Sequence, residues 1–378
     1  MSNTTDNAAH VRAYVRFAAI DPYVEKNIIS PEAKKATASG DRYLWGDRDL
    51  YPGYLLELYD TVTTLRSVID GCVDYIAGDD VSFRGSDTAK MNKLGESPQE
   101  IVRQCARNLK TYGGFALEVI RSLDGSVAEV YCIDLRFLRT NKANDVFWYS
   151  EKWGKFNPKP DVLPAFMPEI KDKWPGMTEE EKDAHAASIV WVKMDQGGVY
   201  PAPPYAAAVK ACETERKIDD FHLNNLRNGF TGPVIINFNN GQPEDKEMEE
   251  VERNVYEKWT GTENAGRPIL SWNANKESAA TIESVKIEDF GARYDALAKR
   301  CRQEIFTAFR ANPNLFGIPT ESLGFSSEEY ESAFKLFNRT QIRPCQRKIA
   351  DAFVRIYGTE VLDIVPFTIE TAGETVVD

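Results

Sequence analysis

The chain has 378 residues, 42% hydrophobic and 28% charged, an ordinary globular composition with apolar material for two or more cores. Its formal net charge is −12 and its isoelectric point is near 5.0. A protein that grips phosphate carries a basic excess, so the balance argues against tight non-specific DNA binding but leaves room for contact with DNA along a wall that repels phosphate.

Six cysteines (Cys72, Cys105, Cys132, Cys212, Cys301, Cys345) form no CxxC pair, and the three histidines His10, His185 and His222 are dispersed. That pattern does not make a zinc site. Most of the cysteines have apolar neighbours, as in IDGCVDYI and EVYCIDL, which suits buried, reduced thiols in a cytosol. No positively charged segment followed by an apolar run opens the sequence, so no signal peptide is expected. No apolar stretch approaches the roughly 18 residues of a membrane span.

Residues 1–60 read as extended and irregular, with an N-terminal arm over 1–50; the stretch is polar at first and then rich in aromatics without a clean period (Tyr14, Phe17, Tyr23, Tyr43, Trp45, Tyr51, Tyr54) that pack on the chain's own domain or on a neighbouring subunit. Leu55, Leu58, Leu65, Ile69, Cys72, Val73 and Ile76 follow helical spacing over 55–77, and Asp79-Asp80 beyond Gly78 reads as a turn. Ser97-Pro98-Gln99-Glu100 is a capping box that starts a second helix, ended by Gly113-Gly114. Phe115, Leu117 and Val119 alternate, Asp124-Gly125 turns, and Val127–Ile133 returns as a hairpin. Residues 145–157 suggest an aromatic strand pair, 158–187 a surface loop with a short helix, and 189–192 a buried strand. The first 200 residues therefore read as an α+β domain.

The Tyr200-Pro201-Ala202-Pro203-Pro204-Tyr205 cluster marks a boundary. A long helix is expected over 205–228, then a strand over 233–238, a charged helix over 244–259, and strands over 269–272 and 280–285. A second long helix is expected over 289–311, broken by Asn312-Pro313. A loop over 315–325 leads to the capping box Ser326–Glu329 and a third long helix toward Tyr357. The insert 231–287 must then sit between two helices that return antiparallel.

Catalytic motifs are missing: the sequence has no GxxxxGK[ST], GxSxG, HExxH or EF-hand loop. The runs Glu179–Glu181 and Glu247, Glu249, Glu250, Glu252 read as solvated helix faces rather than metal ligands. Gly113-Gly114 lies at a helix C-terminus, whereas phosphate is held at N-termini, so it reads as a cap. The two long helices mix charge. Glu213, Glu215 and Arg216 lie on the first, and Arg293, Arg300 and Arg302 on the second. Such helices suit subunit contacts whose registry comes from opposite charges, though ordinary exposed faces look the same. Trp259 and Trp272 are candidate apolar anchors of the insert, and core positions are the alternative, more so for Trp272 in its strand.

The order of these elements resembles the portal proteins of tailed bacteriophages, particularly the shorter portals of long-tailed phages. The resemblance runs from about Tyr51 to Tyr357 and is carried by LRSVIDGCVDYIAG, NLKTYGGFALEVI, LNNLRNGFTGPVII and NPNLFGIPTESLGFSSEEYESAFKLFNRTQIRPCQRKI. The Pro-built turn at 200–204 departs from the family's usual Tyr-Gly element, and little chain follows the third helix for a helical crown. The resemblance implies an α+β portal fold: an N-terminal arm (1–50), a wing (51–204), a stem helix (205–230), a clip (231–287), a second stem helix (288–312), a tunnel loop (313–326) and a C-terminal wing helix and tail (327–378). It implies a channel constriction at Leu315, Gly317, Thr320, Glu321, Ser322, Gly324 and Phe325. It also implies a ring of twelve subunits at one capsid vertex, contacting the major capsid protein, docking the terminase large subunit and then a head–tail adaptor, and passing double-stranded DNA without sequence preference. The implied location is the virion after synthesis in the bacterial cytoplasm, with no cofactor, metal, membrane or catalysis. Two other readings are another head structural or adaptor protein, and a metal-dependent nucleic-acid enzyme, for which no converging carboxylates are recognisable.

Overall fold

The computed structural model of the chain describes residues 29–36, 41–84, 90–153, 159–195, 197–227, 235–238, 269–272, 290–318 and 327–368. They divide into two units, residues 1–210 with 304–378, and residues 211–303.

The first unit opens with two short strands, β1 (Lys34–Lys35) and β2 (Tyr43–Leu44), paired antiparallel. This part of the expected arm packs on its own domain. Trp45 is buried and stacks on Tyr200 at 4.5 Å between centroids, interplanar angle 6°. Beside it the buried Asp49 accepts hydrogen bonds from Trp45 N at 2.7 Å, Arg42 Nη1 at 2.8 Å and Arg139 Nε. Arg48 and Asp49 both adopt positive φ, 51° and 68°, a conformation in which Asp is among the better tolerated residues.

Where one helix was expected over 55–77 there are two, α1 (Tyr51–Thr61) and α2 (Thr63–Ala77), separated by Val62 in an extended conformation, and α1 takes in residues 51–60 that were expected to be irregular, because Tyr51, Tyr54, Leu55 and Leu58 bury one helical face. The β-branched run Thr61-Val62-Thr63 favours that break, and Val62 is buried in the joint. The turn expected at Asp79-Asp80 is only partly one: Asp80 begins the strand β3 (Asp80–Phe83). Helix α3 (Pro98–Tyr112) starts at the expected capping box, with Ser97 Oγ accepting from Glu100 N and Glu100 accepting from Ser97 N. It ends on Gly113 with φ 87°. A Cβ there would lie 1.9 Å from Ala202 O, so the turn at 200–204 closes directly over a glycine.

The hairpin forms as β4 (Gly114–Arg121) and β5 (Val127–Ile133), in register from Ala116↔Ile133 to Ile120↔Glu129. A second antiparallel sheet holds β6 (Leu138–Thr140), β7 (Val146–Tyr149) and β8 (Asp161–Pro164) in that order. Of the strand pair expected over 145–157, the described part up to Trp153 holds the single strand β7, with partners on either side, one of them drawn from the expected loop, and residues 154–157 lie outside the described residues. Two short helices follow, α4 (Ile170–Lys173) and α5 (Glu179–His185), the latter with its three glutamates at the exposed N-terminal turn. Strand β9 (Ala187–Lys193) completes the first sheet in the order β5-β4-β9. The apolar stripes of α2 and α3 pack on each other, and α3 packs on β4. Leu65, Val68, Ile69, Ile76, Ile101, Cys105, Phe115 and Leu117 form the dry centre of the unit.

The second unit holds most of α6 (Val209–Arg227), the parallel strand pair β10 (Ile235–Phe238) and β11 (Ile269–Trp272), and most of α7 (Phe290–Ala308). The expected helix over 244–259 and strand over 280–285 lie outside the described residues.

Back in the first unit, the third long helix is interrupted. Helix α8 (Ser327–Phe337) passes through a π-turn (Asn338–Ile342) into α9 (Arg343–Tyr357). Pro344 supplies the cause, since it lacks an N–H for the preceding turn and its ring crowds that turn's carbonyls. The described chain then adds β12 (Leu362–Val365), which pairs antiparallel with β3 across about 280 residues of sequence and was not expected.

Candidate functional site

Two regions match the residues singled out in the sequence. One is the helix pair of the second unit. Within it, Phe221 of α6 meets Tyr294 of α7 at 4.7 Å between centroids, and His222 meets the same ring edge-on at 5.5 Å. Burial pushes the Cys212 thiol up, with smaller contributions from Glu215 and from Cys301 on the facing helix. Positions late in α6 face positions early in α7 and the reverse, so the two helices run antiparallel. His222 is half-buried against Tyr294, and no nucleophile or metal ligand is paired with it among the described residues.

The candidate contact residues separate into two classes. Glu213 and Arg216 are buried and pair across one turn, with Arg216 Nη2 2.8 Å and Nε 3.1 Å from Glu213 Oε2. Their charges are engaged within the chain rather than turned outward, a consequence of the three-residue spacing that places both on one helix face. Glu215 is half-buried, whereas Arg300 and Arg302 are exposed. The side chain of Arg293 lies outside the described residues. Sequence reasoning missed the apolar part of this surface: Phe221, Leu223 and Leu297 are 39%, 48% and 37% exposed on the two helices. The signal was available in FHL and DALAK, where large apolar residues interrupt mixed-charge runs.

The other region is the root of the candidate constriction loop. Leu315 belongs to a helical turn, Pro313–Phe316, capped by Asn312 and closed by Gly317 at φ 72°. Thr320, Glu321, Ser322, Gly324 and Phe325 lie outside the described residues, as does Trp259; Trp272 lies in β11, and its side chain is likewise outside them. What the structure adds is the mount for the loop. Tyr75, near the end of α2, donates its hydroxyl to Leu315 O at 2.6 Å. Its ring touches those of Phe316, Phe334, Phe337 and Phe367 at 5.2–6.0 Å between centroids. Phe316 also lies against Gly71, where a Cβ would come within 2.5 Å of the ring. Burial pushes the Tyr75 phenol up, with Tyr330 adding to it, so the hydroxyl stays protonated and keeps donating. Segments on both sides of residues 319–326 therefore grip one aromatic hub.

The remaining chemistry is spare. Among the described residues no group of three or more His, Cys, Asp or Glu side chains is placed to hold a metal ion. All six cysteines are free and buried. Glu181 caps its own helix with Thr178, and Glu179 pairs with Lys182 at 2.8 Å, which is the behaviour of a solvated helix face. No described helix is long and apolar enough to cross a membrane.

No protein-family model matches the chain. A stretch of 138 residues is 28% identical to an uncharacterized protein of Rickettsia bellii (strain RML369-C), covering 33% of this chain and 31% of that relative, so the match spans about a third of the relative's length. Among solved structures, the chain is similar to one in the neck of the native gene transfer agent (GTA) particle computed with C12 symmetry, at TM-score 0.52 and 16% identity over 88% of this chain and 87% of that one. The neck of the empty particle computed with C6 symmetry gives TM-score 0.54 at 16% identity over the same shares. An HK97-family phage portal protein from Corynebacterium diphtheriae matches at TM-score 0.46 and 11% identity, over 82% of this chain. The chain shares the α+β fold of the GTA neck chains along nearly its whole length.

Proposed function

We propose that the chain is a portal subunit of a tailed-phage type particle. It assembles through its long helices into a ring of twelve at one capsid vertex, through which DNA is packaged and later ejected. The observation that carries this reading is the fold shared with the GTA neck chains over 88% of the sequence, in a particle neck computed with twelvefold symmetry. The exposed Phe221, Leu223 and Leu297 support the helices as a contact surface, because large apolar side chains on a long helix gain most when a second copy covers them. The acidic net charge of −12 suits a channel that passes DNA without gripping it.

In this reading the first unit is the wing, α6 and α7 are the stem, and 231–287 is the clip that docks the terminase large subunit and then the head–tail adaptor. The major capsid protein surrounds the wing, and 313–326 narrows the channel. The subunit has no catalysis of its own. The helix surface is tested by reversing charge at Arg300 and Arg302 and by replacing Phe221 and Leu297 with polar residues. Light scattering should show these variants as smaller species than the wild type. Unchanged oligomers in all of them would remove the helices as the contact surface.

A second reading, an adaptor of the neck rather than the portal itself, draws on the same symmetric neck. Binding separates the two: a portal lacking 231–287 should still form rings but no longer bind terminase, whereas an adaptor has no terminase to lose.

A further inference from the structure

The hairpin of β4 and β5 ends in the turn Ser122-Leu123-Asp124-Gly125-Ser126. Its backbone is firmly held. Ser122 N donates to Ser126 O and Gly125 N to Ser122 O, both at 2.9 Å, and Arg121 Nη1 donates to Gly125 O at 2.8 Å. The buried Trp174 backs the turn: its indole N–H donates to Leu123 O at 2.9 Å, and a Cβ on Gly125 would lie 2.5 Å from its ring. On this fixed base the Leu123 side chain is 94% exposed. Met167, 42% exposed, adjoins it, since Arg121 donates to the carbonyls of both Met167 and Gly125. A lone exposed leucine on a loose loop means little. A leucine at a rigid turn position, where polar residues and glycine are usual, has already lost the freedom that binding would otherwise cost.

The opposite end of β4 carries a complement. There an apolar groove of about 510 Å³ is lined by Pro31, Trp45, Tyr51, Pro203, Val209 and the exposed Ala206. Pro201 and Ala202 also line it, and they pack over Gly114 and Gly113 at the start of β4. Among the described residues Lys210 is the groove's only charged lining residue. Asp124 is the only charge on the turn 122–126, and hydrogen bonds from Ser122 and Ser126 hold its carboxyl well below the ordinary 3.8. Polarity and charge therefore match: an apolar knob beside one anion, an apolar groove beside one cation.

Knob and groove cannot meet within one chain. The 8 residues of β4 rise roughly 23 Å along the strand, and the two features lie beyond its opposite ends. Unlike surfaces at opposite ends of one unit join copies head to tail, and such a contact, repeated until it closes, makes a ring. We propose that Leu123 of one copy seats in the groove of the next, as a second contact of the ring beside the one assigned to the long helices. This rests on the portal reading above and adds to it the surface through which neighbouring wings are joined. The groove is built in part on Val209 and Lys210, the first residues of α6, so it adjoins in sequence the helix already assigned to subunit contact.

Cross-linking of the full chain tests this. The six native cysteines are free and buried, so introduced surface thiols react selectively. A Leu123→Cys, Ala206→Cys variant treated with a short bis-maleimide should give a ladder of covalent oligomers. Either single variant should give none, because knob meets groove and never knob. Leu123→Ser, and separately Ala206→Trp, which fills the groove, should raise the concentration at half-assembly at least about tenfold in light scattering. Rings that form without a ladder, or with both substitutions harmless, overturn the knob-and-groove contact and leave the portal reading standing. Dimers from Leu123→Cys alone would make the contact like-to-like and overturn it. A ladder that appears only after removal of residues 1–28 would assign the groove to the chain's own arm and overturn it as well. A wild type that forms no oligomer at any concentration fails the portal reading and this contact together.

Discussion

Replacing Asp49 with Asn should cost the first unit about 3 kcal/mol. Asp49 is 6% exposed and receives Arg42, Arg139 and Trp45 N, while the two arginine side chains are 8% and 1% exposed. Asn keeps the shape and tolerates the left-handed backbone at φ 68°, so the substitution removes charge and little else. Two guanidiniums are then left buried without their counter-ion. Breaking a buried pair from one side costs roughly 3–5 kcal/mol, and the amide oxygen retained by Asn takes the value to the lower end. At about 2–4 °C per kcal/mol for a unit of this size, the midpoint should fall on the order of 10 °C in calorimetry at neutral pH. Acid provides a second reading. Burial raises the Asp49 pKa, but Arg139, Arg42 and the Trp45 N–H outweigh it and hold the carboxyl below its ordinary value of 3.8. A depressed folded-state pKa contributes stability that is complete above about pH 4 and is lost as the pH falls through the folded value. The Asn variant should lack that component of the acid profile. A loss under about 1 kcal/mol, or an acid profile matching the wild type's, would refute the role of Asp49 as counter-ion to both arginines.

Gly113→Ala should destabilise by at least about 2 kcal/mol in urea unfolding, because φ is 87° and the new Cβ meets Ala202 O at 1.9 Å. Tyr75→Phe should cost roughly 1–2 kcal/mol through the lost bond to Leu315 O, and limited proteolysis should cut faster within 313–326; an unchanged cleavage rate would detach the loop from the hub. Ser322→Lys, which adds a cation to a loop that has none, should leave ring assembly intact and impair DNA packaging or retention; normal packaging would remove the loop as the constriction.

Local signals were legible wherever a few adjacent residues determine the outcome. The capping box at Ser97, the cap at Gly113 and the hairpin over 114–133 depend on neighbours in sequence and formed as expected. The pairing of β3 with β12 depends on residues about 280 positions apart, and DVSF carries no sign of its partner. The break at Val62 and the π-turn before Pro344 were hidden because apolar residues keep helical spacing within the segments on either side of each joint. The charges of the two long helices were visible, but not that Glu213 and Arg216 neutralise each other inside the chain. The mount of the loop could not be read in advance, since Tyr75 and its phenylalanine partners come from four separated segments. Tyr75, a polar-tipped ring beside the buried apolar stripe of α2, was its one local hint.

Electron microscopy of the purified full chain tests the central claim most directly. A portal subunit should appear as rings with a central hole, and class averages should resolve twelve repeats around it. Compact single chains of 42.6 kDa with no ring at any protein concentration would contradict the portal reading.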